Sequence, residues 1–252
     1  MKNNEADQWL SVASEAARRA GSYLLDSKQD GRNIITDKQR DVKIAADGNS
    51  ESIILNYLQE HSDISILSEE RGLVERPDRS GMVWIVDPLD GSLNYSRDIP
   101  LCCVSIGLWE ENRPILGVIH DFHRDEFYFG IVGQGAWCNE REIKGSDVDR
   151  KEKAILCTGF PVQTDFSAEG LLTFIHKIQE YKKIRLLGSA ALSLAYVASG
   201  KADMYMENDI MIWDVAGGIA IARAAGCVCT MKNGIKPNSL QVAVSNGKFA
   251  ID

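Results

Sequence analysis

Acidic residues that follow apolar runs are the first sign of chemistry in this chain. Three places stand out: Ser68-Glu69-Glu70, Asp87-Pro88-Leu89-Asp90-Gly91-Ser92 and Trp213-Asp214. Val83-Trp84-Ile85-Val86 reads as a buried strand, so Asp87 emerges at its end with its carboxylate near the core boundary. Pro88 cannot donate to a ladder and is expected to stop that strand. Asp87 and Asp90 would then face each other across a tight turn, where one must protonate unless a cation lies between them. Gly91 lets backbone approach a ligand, and Ser92 adds a hydroxyl and an N–H suited to cradling phosphate at a helix start. Carboxylates together with a carbonyl oxygen suit Mg²⁺ or Mn²⁺ and not zinc or copper. Each fragment alone also fits an ordinary role: a turn, a solvated loop, or a capped helix start. It is their combination that points to a cation site.

The elements that must position these acids follow from periodicity. Trp9, Val12, Ala13, Ala16, Ala17, Ala20 and Leu24 recur at helical spacing, and a second helix is expected from about Ser50 to Gln59. The polar stretch from Asp26 to Arg40 reads as a mobile loop. Short apolar strands then dominate, with a hairpin turn at Glu110-Glu111-Asn112-Arg113 and a further turn at Gly133-Gln134-Gly135. After the charged link Gly145 to Lys153, strands and helices alternate, with helices near 168–180, 190–198 and 214–225. An antiparallel first half (1–148) thus joins an α/β second half (149–252) in one compact unit.

Bulk properties narrow the class. In 252 residues, 36 acids oppose 28 bases for a net charge of -8, which disfavours a nucleic-acid-binding role because such proteins carry a basic surplus or stripe. An acidic protein that binds a phosphate ester needs positive charge from elsewhere, and a metal ion supplies it. The six cysteines form no CxxC pair, and the four histidines lack ligand spacing, so a zinc site is not expected. No run of eighteen apolar residues suggests a membrane span, and the N-terminus leads into an amphipathic helix and not a signal peptide. A reduced, cytoplasmic protein is the expectation.

With those residues in view, a family resemblance emerges. Trp84-Ile85-Val86-Asp87-Pro88-Leu89-Asp90-Gly91-Ser92-Leu93-Asn94-Tyr95 resembles the first signature of the inositol monophosphatase family. Trp213-Asp214-Val215-Ala216-Gly217-Gly218, followed by Ala224-Ala225-Gly226, resembles the second. Asp41 to Asp47, Ser68-Glu69-Glu70, Gly188-Ser189-Ala190-Ala191 and Glu207 match further family segments in the right order, so the resemblance spans nearly the whole chain. It implies a layered α-β-α-β-α sandwich of the inositol monophosphatase / fructose-1,6-bisphosphatase type, assembled as a homodimer. It implies two to three Mg²⁺ ions, with Mn²⁺ as a substitute, and inhibition by lithium.

By the same resemblance, Glu69, Asp87 and the Leu89 carbonyl hold a first metal, and Asp87, Asp90 and Asp214 a second. A looser third ion sits on the Glu69 side, with Asp47 reaching it through water. Glu69 and Ser92 activate the attacking water, and the Gly91 and Ser92 N–H groups bind phosphate oxygens. Asp90, Ser189, Ala190 and Glu207 meet hydroxyls of the leaving group. The family often has a lysine in the loop before Asp41, for which Lys38 and Lys43 are both candidates, and Ser92 stands where many relatives have threonine.

The resemblance implies a phosphate monoesterase acting on a small phosphorylated metabolite, with inositol monophosphate first. Adenosine 3′,5′-bisphosphate, NADP, fructose 1,6-bisphosphate and histidinol phosphate are the alternatives. Gly159-Phe160-Pro161 and the chain length resemble the simple monophosphatases, and Glu207 suits a neutral polyol better than a second phosphate. A metal-binding regulatory protein without turnover is the alternative of another class.

Overall fold

Two long helices, α1 (Asn3–Asp26) and α2 (Ala45–His61), pack on one face of an eight-stranded sheet. The computed structural model describes residues 3–27, 34–38, 41–78, 80–160 and 164–251. A small hairpin, β1 (Ile34–Lys38) and β2 (Asp41–Ile44), connects the two helices. The large sheet contains β3 (Ser65–Ser68), β4 (Gly72–Val74), β5 (Met82–Asp90), β6 (Cys103–Glu110), β7 (Arg113–Asp121), β8 (Glu126–Ile131), β9 (Gly135–Cys138) and β10 (Arg141–Glu142). Its order is β10-β9-β8-β7-β6-β5-β3-β4, antiparallel except where β3 runs parallel to β5.

Apolar residues on both faces of this sheet explain the unbroken hydrophobic runs in its sequence. Trp84 and Val86 face the core under α1 and α2, while Ile85 faces a second core on the other side. That second core is filled by α5 (Ala190–Ala198) and α6 (Ile212–Ala224), in which every residue from Val215 to Ala222 is buried. Helices that are apolar all round belong in such an interior layer. Beyond them lies a five-stranded sheet, ordered β12 (Lys183–Arg185), β11 (Ile155–Thr158), β13 (Met204–Met211), β15 (Ser239–Ser245) and β14 (Val228–Asn233). The outermost layer is α4 (Ala168–Ile178), which buries no residue fully and is separated from β13, β14 and β15 by a cavity of about 690 Å³. The short helix α3 (Ser92–Ser96) follows β5 directly. The result is the expected α-β-α-β-α layering.

Glycines let the layers meet. A Cβ at Gly117 of β7 would lie 2.2 Å from the Gly217 carbonyl oxygen of α6, and one at Gly218 would lie 2.6 Å from Leu194 of α5. The Gly217-Gly218 pair is therefore the contact point of α6 with both the sheet and α5. The Trp109 indole N–H adds a hydrogen bond to the Ala216 carbonyl (3.2 Å).

Several sequence expectations need correction. β5 does not stop at Pro88 but runs to Asp90. Its parallel pairing with β3 ends at Val86, and a bulge between Asp87 and Asp90 opposite β6 absorbs the proline, whose missing N–H is not needed there. The second helix begins at Ala45, so Asp47 lies in its first turn and not ahead of it. Part of the expected loop before Asp41 is strand β1, although residues 28–33, 39 and 40 lie outside the described residues. The hairpin turn holds Glu111 and Asn112 at φ 46° and 64°, as a tight two-residue connection requires.

Candidate metal centre

The parallel pairing of β3 with β5 brings two of the acids to the same sheet end. Ser68 pairs with Val86, and the Glu69 N–H donates to the Val86 carbonyl at 3.2 Å. Glu69 therefore leaves β3 beside Asp87. The third acid arrives from elsewhere in the chain: Asp214 lies in the first turn of α6, which begins where β13 ends. One carboxylate oxygen from each of Glu69, Asp87 and Asp214 lies within 4.8 Å of the others.

Three carboxylates this close resist full ionisation. Asp87 is 1% exposed, and burial pushes its carboxyl well above the ordinary range, assisted by Glu69, Asp90 and Asp214. Asp214 is also raised well above its usual value, first by burial and then by Asp90 and Glu207. A cation is the alternative to protonation, and an all-oxygen donor set suits a hard divalent ion. The residues thus fit a metal of the Mg²⁺ or Mn²⁺ type.

Asp90 stands beside this trio but points toward α5. Its Oδ2 accepts from the Ser189 hydroxyl (2.6 Å) and the Ala191 N–H (2.7 Å), and burial moves its carboxyl up to about 6 against those hydrogen bonds. Ser189 is also the N-cap of α5, its Oγ accepting from the Leu192 N–H at 3.2 Å. The Leu89 N–H donates to Asp87 Oδ1 (3.0 Å), while the Leu89 carbonyl lies 3.0 Å from the Ser92 hydroxyl. That hydroxyl is also 2.9 Å from Asp47 Oδ1, so one proton serves two acceptors. Asp47 Oδ2 accepts from the Ile44 N–H at 2.8 Å, tying the same residue to the start of α2. Gly91 has φ +93°, and a Cβ there would lie 2.8 Å from the Leu101 carbonyl and 3.2 Å from that of Gly188. Gly91 thus lets the Asp90-to-Ser92 segment sit against the loop that precedes α5.

Glu207 lies on β13 against Gly159, where any Cβ would meet its carboxylate at 2.5 Å. Burial, then Asp90, raises its carboxyl to about 8. It also borders the cavity beneath α4, together with Phe160, Phe174, Lys177 and Lys232.

A raised acid weakens the metal-free fold as pH rises. For Glu207, stability is fully present below the unfolded value near 4.5 and is lost as pH climbs through about 8. In EDTA, the melting temperature should therefore fall between pH 5 and 8.5. Glu207→Gln should hold at least about 2 kcal/mol, or roughly 4–8 °C, of that loss at pH 8.5. Circular dichroism melts at both pH values check this, and parallel wild-type and variant curves would remove Glu207 as the cause.

The geometry coincides with a family match. A family model described as the inositol monophosphatase family matches residues 5–250. The chain belongs to the inositol monophosphatase family. It is 37% identical to a protein named "Nus factor SuhB" from Xylella fastidiosa, over 96% of this chain and 91% of that one. It is 34% identical to "Inositol-1-monophosphatase" from Synechocystis, over 98% and 87%. Among solved structures, an inositol monophosphatase from Anabaena superposes with a TM-score of 0.82 at 34% identity, over 96% of this chain and 92% of that one.

Of the residues expected from this family's pattern, Glu69, Asp87 and Asp214 converge, Asp90 joins Ser189 and the start of α5, and Ser92 joins Asp47 and Leu89. The side chains of Lys38 and Lys43, and residues 161–163 of the Gly159-Phe160 loop, lie outside the described residues. Sequence reasoning missed three supporting residues: Ser50, Glu51 and Asn94. The Asn94 amide donates to the Leu101 and Leu187 carbonyls, both at 2.8 Å, which ties the turn after Asp90 to the loop before α5. Helical spacing from Asp47 was the available signal for Ser50 and Glu51, three and four positions on.

Proposed function

We propose that this protein hydrolyses the phosphate monoester of a small hydroxyl-rich metabolite, with inositol monophosphate as its first substrate and Mg²⁺ as its metal. The observation that carries this reading is the meeting of Glu69, Asp87 and Asp214 within 4.8 Å. A bound divalent ion would supply charge neutralisation for the phosphoryl oxygens and acidify water. Glu69, Asp87 and the Leu89 carbonyl are the ligands we assign to a first ion, and Asp87, Asp90 and Asp214 those of a second.

The chain's own groups supply the rest. Glu69 takes the proton of the attacking water, and the Ser92 hydroxyl, held by Asp47 and Leu89, orients it. The Gly91 and Ser92 N–H groups hold the phosphoryl oxygens. Asp90, Ser189, Ala190 and Glu207 line the side on which the leaving group departs. Burial, then Asp90, shifts Glu207 toward its neutral form, in which it can donate to one hydroxyl and accept from another. This favours a polyol over a second phosphate. The working form we assign is a cytoplasmic homodimer that binds neither nucleic acid nor membrane; among the described residues, no helix is long and apolar enough to cross a bilayer.

A second reading, a metal-binding regulatory protein without turnover, is favoured by one observation: the relative from Xylella fastidiosa is named a Nus factor. Phosphate release separates the two. We expect Mg²⁺-dependent turnover of inositol 1-phosphate, abolished by EDTA and inhibited by Li⁺. Faster turnover of NADP, adenosine 3′,5′-bisphosphate, fructose 1,6-bisphosphate or histidinol phosphate would reassign the substrate. No release from any of them by folded, metal-loaded protein would favour the regulatory reading.

A further inference from the structure

One face of α2 reaches both strand ends that carry the acid cluster. Asp47, Ser50 and Glu51 are all buried there. The Ser50 hydroxyl donates to the Pro88 carbonyl at 2.7 Å, within the bulge that presents Asp87. Glu51 does the equivalent for the neighbouring strand. Its Oε1 accepts from the Ser68 hydroxyl (2.6 Å), the Glu70 N–H (3.1 Å) and the Arg71 N–H (3.0 Å). Its Oε2 lies 3.2 Å from Arg71 Nε.

The three Oε1 donors bracket Glu69, one preceding it and two following. A buried carboxylate with this many donors, including a guanidinium, has its charge compensated. It is spent on the turn between β3 and β4 and is not among the three acids that converge. The side chain is 2% exposed, whereas that of Arg71 is 51% exposed, so the anchor is the helix and the turn hangs from it.

We propose that Glu51 is a positioning residue for Glu69, fixing the β3–β4 turn so that the Glu69 carboxylate meets Asp87 and Asp214. The inference rests on reading those three acids as a metal centre. Outer groups that orient metal ligands typically change affinity by about 10–100-fold when removed. Glu51→Gln keeps Oε1 as an acceptor but sets an NH₂ group against the Arg71 Nε–H, donor facing donor.

The test is Mn²⁺ binding to the full chain, followed by electron paramagnetic resonance. We expect Glu51→Gln to weaken Mn²⁺ binding about 10-fold and to accelerate amide exchange at Glu70 and Arg71, with turnover recovering at saturating metal. Arg71→Ala, which removes a half-exposed partner and leaves the backbone donors, should weaken Mn²⁺ binding in the same direction by less, and it serves if Glu51→Gln does not fold. Ser62→Ala is the control, since Ser62 holds the Trp84 indole at the other end of α2 (3.1 Å); it should lower the melting temperature without changing Mn²⁺ affinity. Wild-type Mn²⁺ affinity in folded Glu51→Gln and Arg71→Ala would overturn the inference, as would an equal loss in Ser62→Ala. If wild-type protein binds no Mn²⁺ and Glu69→Gln changes nothing, the metal-centre reading itself falls. Those outcomes distinguish the two failures.

Discussion

Asp87→Asn is expected to lower kcat by roughly 10³-fold or more, the largest effect of any single replacement in the site, while the protein stays folded. Asp87 is the most enclosed of the three converging carboxylates, and Glu69, Asp90 and Asp214 all act on it. The replacement removes one of the three converging negative charges of the candidate metal centre and leaves a shape-matched side chain. The Asn carbonyl can still accept from the Leu89 N–H, so the bulge that follows Asp87 keeps its internal hydrogen bond. Relief of like-charge repulsion also means that, in EDTA at pH 8, the variant should melt no lower than wild type. Phosphate release at saturating Mg²⁺ and a melt in EDTA measure the two halves separately. Full activity would show that Asp87 does not sit at the reacting centre, and a chain that no longer folds would show that the fold depends on its charge.

Gly117→Ala is expected to produce the largest loss of stability, about 3 kcal/mol or roughly 6–12 °C in melting temperature. The added methyl would lie 2.2 Å from the Gly217 carbonyl oxygen and 3.0 Å from the Ala220 Cβ, contacts that a flexible side chain cannot absorb because the first is backbone. α6 would have to lift from the sheet, and α6 carries Asp214. Activity should therefore fall with stability, and Mn²⁺ affinity should fall in the fraction that remains folded. Gly133→Ala is the contrast. That glycine has φ +88° but nothing within 4 Å of an added methyl, so its cost is backbone strain alone, about 1 kcal/mol, with metal binding unchanged. Equal metal affinities in Gly117→Ala and wild type would separate the helix–sheet contact from the site.

Legibility in the sequence followed the range of the interactions. Local patterns sufficed for α1, whose apolar residues recur at one period, and for α5, read at its observed limits of Ala190 and Ala198. The hairpin at Glu111 and Asn112 was legible because the two-residue turn lies wholly within four neighbouring residues. The end of β5 was not. Proline signals a strand stop locally, yet here the ladder that would have needed its N–H had already ended, and only the pairing partner reveals that.

The acids divide in the same way. Glu69, Asp87, Asp90 and Asp214 stood out by residue type and by their places after apolar runs, and the family pattern supplied their order. Sequence alone made legible the acids of the candidate site and their negative charge, for which a cation is the expected counterpart. Which acids actually meet depended on β3 lying parallel beside β5, eighteen positions on, and on α6 bringing Asp214 from more than a hundred positions away. Tertiary structure likewise turned Asp90 toward Ser189, and gave Glu51 its hold on the turn around Glu69. A carboxylate's chemistry is carried by its own atoms, but its partner is chosen by the packing of distant elements, and no local pattern encodes that choice.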